Sequence, residues 1–297
     1  MRSASACRVR VGGGAAVSAL LLVACFVDEG PPQATSASDS ASGTTADSTT
    51  GTTGTTGTTG TTRGTSATTT VETTTDSPPD VPVFTCPDVS DLVLCYEFES
   101  GWDDGLLVDT SDSLLHGSMM SAFKVAGHRG AAAQLIAESR IFSPFDEKAI
   151  QRLLNAFTVA AWIRPTADVV SGTRGVIERE GHIRLALIGN GKGYEVGCTS
   201  PGLPEITSSL NLEADEWVHV ACIYDGVSLS VWVGGKQQAE MPAKIDQVGD
   251  DSLWIGNDGP TPGASTALIG LVDEVQIWSS ALSPQALCGA AGIADCS

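Results

Sequence analysis

The sequence is poor in positive charge and in aromatic side chains. It has 16 Lys and Arg residues against 35 Asp and Glu residues, which gives a formal net charge of −19 at pH 7, and 5% of its residues are aromatic. Proteins bind nucleic acid by neutralising phosphate with Lys and Arg, so this balance argues against a nucleic-acid partner. The carboxylates instead favour solubility and suit a hard cation such as calcium.

Long apolar runs are missing as well. The run from Ala15 to Val23 is about half of the roughly 20 residues that a membrane-spanning helix needs, and no other segment is apolar enough to span a membrane. Three arginines, Arg2, Arg8 and Arg10, precede this run. A basic start followed by a short apolar stretch is typical of a secretory signal peptide.

The apolar run ends in Leu-Val-Ala-Cys at Cys25. These four residues resemble the bacterial lipobox, in which the cysteine becomes the lipidated first residue of the mature chain. We therefore expect a signal peptide at 1–24 and a lipid anchor at Cys25. Phe26 rather than Asp follows the cysteine, which favours the outer membrane, on its periplasmic or its cell-surface side.

Residues 25–85 consist largely of Thr, Ser, Gly, Ala, Pro and Asp, and the triplet Thr-Thr-Gly recurs between Thr49 and Thr62. Such a segment cannot bury enough apolar surface to offset its chain entropy, which predicts a disordered linker. A Gly-rich coil of ~60 residues spans ~40 Å on average, so this segment would serve as a tether. A linker that grew by repeat expansion without a role is the alternative.

Residues 86–297 form the predicted folded domain. Short alternating runs are separated by Gly, Pro, Asp and Asn, which is typical of an all-β sandwich or jelly roll. A helix is predicted at Asp146–Asn155, and one closing helical turn at Ser283–Leu287. The predicted strands are Leu92–Phe98, Phe157–Arg164, Val176–Glu180, Ile183–Ile188, Tyr194–Thr199, Trp217–Tyr224, Leu229–Val233, Leu253–Ile255 and Leu268–Trp278.

Several of these segments resemble, in order, the motifs of laminin-G-like and pentraxin-like domains of the concanavalin A type. Gly234 replaces the usual Asp of one motif, and Ser113 stands near an expected Gly. The matching segments are Leu94–Glu99 with Asp109–Ser111 and His116–Gly117, Phe157–Pro165, Trp217–Ala221 with Tyr224–Gly226 and Leu229–Gly235, Ile255–Asn257, and Gly270–Trp278 with Ala281–Ser283.

The resemblance implies a two-sheet antiparallel jelly roll (concanavalin A-like), a fold that hosts lectins, adhesion modules and glucanases. The glucanase pattern E-x-D-x-x-E is absent, since Glu178-Arg179-Glu180 lacks the middle Asp. Asp273 and Glu274 are neighbours on one strand and should face opposite ways, whereas a retaining pair needs both carboxyls on one face. We therefore expect no enzyme, and we assign His219 of the W-x-H-V motif a structural role.

The resemblance also implies calcium as a cofactor, held between the loop after the first strand and the closing strand. The matching positions are Glu99, Asp109 and Asp273. The alternative is that Asp109 caps a turn and that Asp273 ends a strand pairing.

Four tryptophans are candidate ligand-binding residues. Trp232, Trp254 and Trp278 each flank apolar core positions, so alternation places them on the opposite face of their strand, and Trp102 lies in the acidic loop 100–105. Sugars stack their apolar faces on such rings. The alternative is that these rings pack across neighbouring strands.

The sequence has 8 Cys, of which Cys7 lies in the signal and Cys25 is the lipidation site. An even number of remaining cysteines in an exported domain predicts three disulfides, and no C-x-x-C or Cys/His pair has zinc-ligand spacing. Cys198–Cys222 is preferred because the strands Tyr194–Thr199 and Trp217–Tyr224 are expected to be neighbours. The other preferred pairs are Cys288–Cys296 and Cys86–Cys95.

The termini meet in this fold, so the competing connectivity joins Cys86 or Cys95 to Cys288 or Cys296. Taken together, the sequence predicts a lipid-anchored surface protein that binds a glycan or a surface protein through a jelly-roll domain, with calcium as a cofactor. The alternative is a structural accessory subunit of a surface assembly without a small ligand. An exported glycoside hydrolase is disfavoured.

Overall fold

Short antiparallel strands build the part of the chain that the structure describes. The structure is a computed structural model, and it describes residues 83–166, 171–179, 181–246, 249, 252–259, 265–294 and 296. The predicted signal peptide, Cys25 and the linker up to residue 82 lie outside these residues. All described residues belong to one compact unit, Glu72–Ser297, and the other unit, Met1–Val71, contains none of them.

The strands of the described residues are, in chain order, β1 (Leu92–Tyr96), β2 (Leu106–Leu107), β3 (Gly117–Met120), β4 (Phe123–Ala126), β5 (Ala131–Leu135), β6 (Arg140–Ser143), β7 (Phe157–Pro165), β8 (Gly172–Arg179), β9 (Ile183–Gly189), β10 (Tyr194–Thr199), β11 (Ile206–Thr207), β12 (Val218–Tyr224), β13 (Ser228–Val233), β14 (Lys236–Pro242), β15 (Leu253–Ile255) and β16 (Gly270–Trp278). The α-helices are α1 (Glu147–Arg152) and α2 (Pro284–Ala291), and a 3₁₀ turn covers Trp102–Asp104.

The strands form two sheets of eight strands each. In the back sheet the order is β14-β13-β12-β7-β16-β5-β4, and β1 also pairs with β16. In the front sheet the order is β11-β10-β9-β8-β15-β6-β3-β2. All of these strand pairs are antiparallel. The predicted two-sheet antiparallel jelly roll is confirmed.

The core lies between the two sheets and follows the two-residue alternation of the strands. On β7 of the back sheet, Phe157, Val159 and Ile163 are fully buried, and Leu185 and Leu187 on β9 of the front sheet are buried as well. These side chains belong to one apolar cluster, because alternate residues of each strand point between the sheets. The intervening residues therefore lie on the outer faces of the sheets.

Helix α2 covers part of the outer face of the back sheet. Ser283 caps this helix by accepting a hydrogen bond from the Ala286 N–H, and Pro284 occupies its first turn. The predicted closing turn is confirmed and continues to Ala291. Leu287 of α2 is buried in a second apolar cluster with residues of β7, β12 and β13, namely Ala160, Ala221, Ile223 and Trp232. The apolar character of both faces of β12 follows from this cover.

The three preferred disulfides are all present in the structure. Cys86–Cys95, Cys198–Cys222 and Cys288–Cys296 have Cα–Cα distances of 6.2, 5.9 and 6.1 Å. The reason given for Cys198–Cys222 was wrong, because β10 and β12 are not neighbours in one sheet. They lie in opposite sheets, and the disulfide crosses the core. Three disulfides indicate an exported protein, since disulfides persist in oxidising compartments.

Among the described residues, packing of the domain begins at Phe84, two residues before the predicted boundary at Cys86. Phe84 is buried in a small cluster with Leu92, Cys95 and Trp278. The Arg129 guanidinium lies 4.5 Å from the centre of the Phe84 ring. Neither described α-helix has the length and apolar character needed to cross a bilayer.

Candidate functional site

A row of directly paired residues crosses seven strands on the outer face of the front sheet. Leu106 on β2 is opposite Ser118 on β3, and Ser118 is opposite Phe142 on β6. Phe142 is opposite Trp254 on β15, which in turn is opposite Glu178 on β8. Residues that are directly opposite on antiparallel strands share one face of the sheet, so these side chains stand side by side.

The row continues over two further strands. Glu178 is opposite Arg184 on β9, and Arg184 is opposite Thr199 on β10. We call these seven residues the front-sheet row: Leu106, Ser118, Phe142, Trp254, Glu178, Arg184 and Thr199. Each member is exposed or half-buried. By contrast, the residues on either side of Trp254 on β15, Leu253 and Ile255, are buried. The front-sheet row is therefore available to a ligand.

The first half of the front-sheet row is apolar. The rings of Phe142 and Trp254 have centroids 5.5 Å apart with an interplanar angle of 34°. Leu106 is 41% exposed, and Met120, two residues beyond Ser118 on β3, is 49% exposed. Two rings and two aliphatic side chains thus form an exposed apolar surface, which is the composition of a stacking platform.

The second half of the front-sheet row is charged. Glu178 is opposite Arg184, and Arg184 forms an ion pair with Glu205, with 3.2 Å between Nη2 and Oε1. The side chains of Arg184 and Glu205 are 31% and 27% exposed, so they are reachable from solvent while their orientation is fixed. Glu178, Arg184 and Thr199 line an open recess of about 300 Å³ together with the 200–203 turn.

A larger cleft of about 490 Å³ lies on the other side of the sandwich, between the segment 83–87 and helix α2. Its walls include Phe84, Trp278 and Arg129. The Arg129 guanidinium supplies the positive charge of this cleft. It already pairs with Glu274 through Nε at 2.7 Å and through Nη2. The polar groups of this cleft are therefore engaged in holding the fold, and we place the candidate site on the front-sheet row.

The structure separates the four predicted tryptophans. Trp254 stands in the front-sheet row and is half-buried. Trp232 and Trp278 lie on the outer face of the back sheet, as alternation predicts, but they are 8% and 5% exposed and offer no ring face to a ligand. Trp102 packs against the core, and its indole N–H donates to the Phe98 carbonyl at 2.7 Å.

The tryptophans differ in exposure because alternation predicts only the sheet face on which a side chain lies. It does not reveal which other segments cover that face. Trp232 is covered by α2, and its indole N–H donates to the Ser230 hydroxyl at 2.8 Å. Trp278 is covered by the segment that carries Phe84. For these two rings the alternative interpretation, packing within the fold, describes what the structure shows.

Asp109, one of the three predicted calcium ligands, is buried and accepts hydrogen bonds at both carboxylate oxygens. Oδ1 accepts from the backbone N–H groups of Cys95 and Ser111 at 2.9 and 3.0 Å. Oδ2 accepts from the Leu115 N–H at 2.7 Å and from the Ser111 hydroxyl at 2.9 Å. Asp109 thus holds the turn that follows β2 against β1, which is the capping role given above as the alternative.

Glu99 and Asp273 both contact the turn between β4 and β5, which we call the 127–131 loop. Glu99 Oε1 accepts from the Ala131 N–H at 3.0 Å. Asp273 Oδ2 accepts from the N–H groups of His128 and Arg129 at 2.9 and 3.3 Å. Burial raises the pKa of Asp273 to about 8, and the neighbouring Glu274 carboxylate adds to this rise.

The predicted calcium ligands do not assemble into one site. Within the residues that the structure describes, no three His, Cys, Asp or Glu side chains are grouped as a metal site requires. Asp109 lies across β1 from β16, and the oxygens of Asp273 accept backbone N–H groups, which a cation would have to displace. The residues present therefore do not fit a calcium ion held by all three carboxylates.

Glu274 does not face away from Asp273, contrary to the expectation from alternation. The pairing of β16 with β7 shifts between Asp273 and Gln276, and Glu274 has a φ of 48°. This bulge turns the Glu274 carboxylate onto the same loop, where it pairs with Arg129 and lies 3.0 Å from His128 Nδ1. Both neighbouring carboxylates thus hold the 127–131 loop, which is a structural role.

His219 is buried, as expected for a structural histidine. Burial lowers its pKa to about 3, and the nearby charges of His128 and Arg129 add to this decrease. The His219 ring lies 5.6 Å from the Trp162 ring in a T-shaped arrangement, and the His128 ring is stacked on the same Trp162 ring with 3.6 Å between the ring centroids. A neutral, enclosed imidazole of this kind contributes packing.

Five members of the front-sheet row were not predicted from the sequence, namely Leu106, Ser118, Phe142, Arg184 and Thr199, and Glu205 was not predicted either. Glu178 was considered only as part of an incomplete glucanase motif. A signal was present in two strands: Phe142 stands between Ile141 and Ser143, and Arg184 between Ile183 and Leu185, and all four of these flanking residues are buried.

Comparison with known proteins agrees with this fold. Residues 145–288 match the profile of a laminin-G-like family described as the concanavalin A-like lectin/glucanases superfamily. The jelly roll of the described domain is therefore similar in fold to concanavalin A-like proteins. The resemblance to laminin-G-like domains that the motifs indicate is confirmed. No curated protein sequence matches the chain.

Solved structures with a similar fold include domain 4 of an extracellular arabinanase from Geobacillus stearothermophilus, in complex with arabinotriose. It is 19% identical with a TM-score of 0.53, over 68% of this chain and 98% of that chain. The binding domain of Paraclostridial Mosquitocidal Protein 1 is 13% identical with a TM-score of 0.53, over 66% of this chain. Trypanosoma rangeli sialidase in complex with sialic acid is 15% identical with a TM-score of 0.52, over 70% of this chain.

These matches cover 51% of the mosquitocidal binding domain and 35% of the sialidase. At such identities the likeness establishes the fold and nothing about activity, because one fold hosts many functions.

Proposed function

We propose that this protein is a lipid-anchored binding protein that recognises a glycan on the front-sheet row and has no catalytic activity of its own. The observation that carries the proposal is the juxtaposition of Phe142 and Trp254 with Glu178 and Arg184 on one exposed sheet face. A sugar has an apolar C–H face and a rim of hydroxyl groups. The two rings supply a surface for the first, and the charged pair supplies hydrogen-bond partners for the second.

The absence of catalysis is supported by the neighbours of Glu178. A retaining glycosidase places two carboxyls about 5 Å apart on one face. The residues directly opposite Glu178 are Trp254 on one side and Arg184 on the other, so neither cross-strand position holds a second carboxylate. An arginine and an indole in these positions suit the binding of hydroxyl groups.

The lipid anchor is proposed from the sequence. The three disulfides of the domain support export, and the Leu-Val-Ala-Cys motif at Cys25 supports acylation there. Metabolic labelling with a radioactive fatty acid tests the proposal: label in the wild-type protein that is lost in Cys25→Ser supports the anchor. Wild-type protein that carries no label contradicts it.

The glycan proposal is tested by isothermal titration of the full chain, purified in detergent, against a panel of oligosaccharides. We expect at least one of them to bind and Trp254→Ala to weaken that binding about tenfold or more. Trp217→Ala is the matched control, because Trp217 is a half-buried tryptophan near His128, remote from the front-sheet row. It should bind like the wild type.

A panel without any binding overturns the glycan proposal and favours the accessory subunit of a surface assembly. Loss of binding in Trp217→Ala with full binding in Trp254→Ala would move the site to the other side of the sandwich. Release of shorter sugars from a bound oligosaccharide would overturn the proposed lack of catalysis.

Calcium stays a prediction of the family resemblance, separate from the glycan proposal. The measurement is the thermal unfolding midpoint of the full chain with calcium alone and then with excess chelator. A ligand that binds the folded state raises the midpoint by mass action, so a rise reversed by chelator supports calcium binding. An unchanged midpoint contradicts it, in agreement with the separation of Asp109 from Glu99 and Asp273.

A further inference from the structure

We infer that the ligand of the front-sheet row is a linear, uncharged polysaccharide chain that lies across the strands of the front sheet. This inference rests on the proposed glycan binding and adds its direction, its length and its charge class. It follows from three properties of the front-sheet row: its length, its division into an apolar half and a charged half, and the ion pair that already occupies its Arg184 side chain.

The extent of the row favours an extended ligand. The row passes through seven neighbouring strands, from Leu106 on β2 to Thr199 on β10. Six spacings of about 4.8 Å between neighbouring strands give a length of about 29 Å. A single sugar covers one or two of these positions, so a continuous row of exposed or half-buried side chains of this length matches several linked sugars in an extended chain.

The direction of the chain follows from the pairing. The seven side chains are linked one to the next by cross-strand pairs, whereas their neighbours along β8, β9 and β15, such as Ile177, Leu185 and Leu253, are buried. Along a strand the exposed positions are interrupted, as by the buried Ile183 and Leu185 on either side of Arg184. A chain that runs perpendicular to the strands meets a new exposed side chain at every spacing.

The division of the row into two halves favours a ligand that is both apolar and rich in hydroxyl groups along its length. Phe142, Trp254 and Leu106 present apolar surface, and Glu178, Arg184 and Thr199 present donors and acceptors. A hydrophobic peptide or lipid that covers Glu178 and Arg184 would remove water from these polar groups without offering them hydrogen bonds, which costs free energy. A sugar chain satisfies both halves because each residue carries a C–H face and hydroxyl groups.

The charges of the row disfavour an acidic polysaccharide. Arg184, the cation of the row, is already paired with Glu205 and lies opposite Glu178. An incoming carboxylate or sulfate would meet two carboxylates whose cation is engaged. The chain as a whole has a net charge of −19, which repels polyanions at long range. An uncharged chain avoids both penalties.

The test compares chain length and charge in one titration series. The probes are xylo-, manno-, cello- and arabino-oligosaccharides from the disaccharide upward, together with oligogalacturonate and hyaluronan fragments as acidic chains. With one of the uncharged series, affinity should rise with length and level off once the chain covers the row. Trp254→Ala should lower the affinity about tenfold or more at every length.

Variants at the ends of the row separate a chain that crosses the strands from one bound locally. Leu106→Ala and Thr199→Ala should leave the shortest binding oligosaccharide unaffected and weaken the longest. Because both residues are exposed or half-buried, neither variant should unfold the domain. Asn190→Ala, at an exposed position outside the row, is the control and should bind all lengths like the wild type.

Each other result overturns a defined part of the inference. Affinity that does not depend on length, or end variants that weaken all lengths equally, would exclude a chain across the strands. Tighter binding of oligogalacturonate or hyaluronan would exclude the uncharged class. If no oligosaccharide of any length or charge binds, the proposed glycan function fails together with the inference.

Discussion

Cys198 and Cys222 lie in opposite sheets, and their disulfide joins the front sheet to the back sheet through the core. Both residues are fully buried. Cys198 is on β10 and Cys222 on β12, with a sequence separation of 24. The bond therefore restrains the distance between the two layers at the edge where β10 and β13 also approach each other.

Removing this disulfide should cost more stability than removing the C-terminal one. In the chain-entropy account, closing a loop of this length contributes ~3.5 kcal/mol, and closing the shorter Cys288–Cys296 loop about 2.6 kcal/mol. The double variant Cys198→Ala, Cys222→Ala also loses buried volume. In urea unfolding, the midpoint of this variant should fall further below that of the wild type than the midpoint of the double variant Cys288→Ala, Cys296→Ala. Equal midpoints would contradict the loop-closure account, which gives the bridge between the sheets the larger contribution.

The strands of this fold were predictable to different degrees. All nine segments predicted as strands contain strands, and Tyr194–Thr199 and Leu253–Ile255 have the predicted bounds. Predicted helix Asp146–Asn155 is α1, with Asp146 accepting the Ala149 N–H as its cap. These elements carry clear alternation or clear capping residues, so local sequence is sufficient to find them.

Two of the missed strands, β5 and β14, lack such local signals. β5 contains Ala-Ala-Ala and β14 is Lys-Gln-Gln-Ala-Glu-Met-Pro, which are residues of low strand propensity. β5 is formed because Ala133 and Leu135 are buried against the core beside β16, and β14 is formed as a polar edge strand beside β13. Tertiary pairing decides both.

The candidate site was the least predictable part. Phe142, Trp254 and Glu178 come from segments far apart in the sequence, and the register that places them in one row is set by the pairing of β6, β15 and β8. A one-residue change of register would move a side chain to the other face. Trp232 is buried by α2. Whether an outward-facing side chain is exposed therefore depends on tertiary packing, which the alternation of residues along a strand does not reveal.

Arg129 and Glu274 should be energetically coupled. The Glu274 side chain is fully buried, and the Arg129 side chain is 23% exposed. Arg129→Met leaves the buried carboxylate without its cation and should cost about 3–5 kcal/mol, whereas Glu274→Gln leaves a cation that reaches water and should cost less. In a double-mutant cycle measured by chemical unfolding, the double variant should lose less than the two single losses combined. Additive losses would contradict the coupling.

Gly130 should tolerate alanine poorly because of Glu99. Gly130 has a φ of +67°, and an added Cβ would overlap Glu99 Oε1. Gly191 is the matched control, since it has a φ of +80° with nothing within 4 Å of the added Cβ. Gly191→Ala should cost about 1–2 kcal/mol for its backbone conformation alone, and Gly130→Ala should cost more. The excess should shrink when Glu99→Ala is combined with Gly130→Ala, and an excess that persists would place the clash elsewhere in the 127–131 loop.

His219 should make the domain less stable in acid. Burial lowers its pKa to about 3 in the folded state, whereas an unfolded histidine has a pKa of about 6.5. Because the folded pKa is the lower one, the unfolded chain takes up the proton first. The stabilisation is therefore complete above about pH 6.5 and is lost progressively as the pH falls toward 3. Between pH 7 and pH 5 this loss amounts to about 2 kcal/mol for one such histidine.

The measurement is the free energy of unfolding of wild type and His219→Gln as a function of pH. The variant loses packing at every pH, so the informative quantity is the slope: its curve should fall less steeply between pH 7 and pH 5. His182, whose pKa burial also lowers to about 3, should give the same flattening independently in His182→Gln. Comparing each variant with the wild type cancels the opposite contribution of Asp273, whose raised pKa favours the folded state as the pH falls. Parallel curves for wild type and His219→Gln would mean that the fold accepts a charged imidazole at this position.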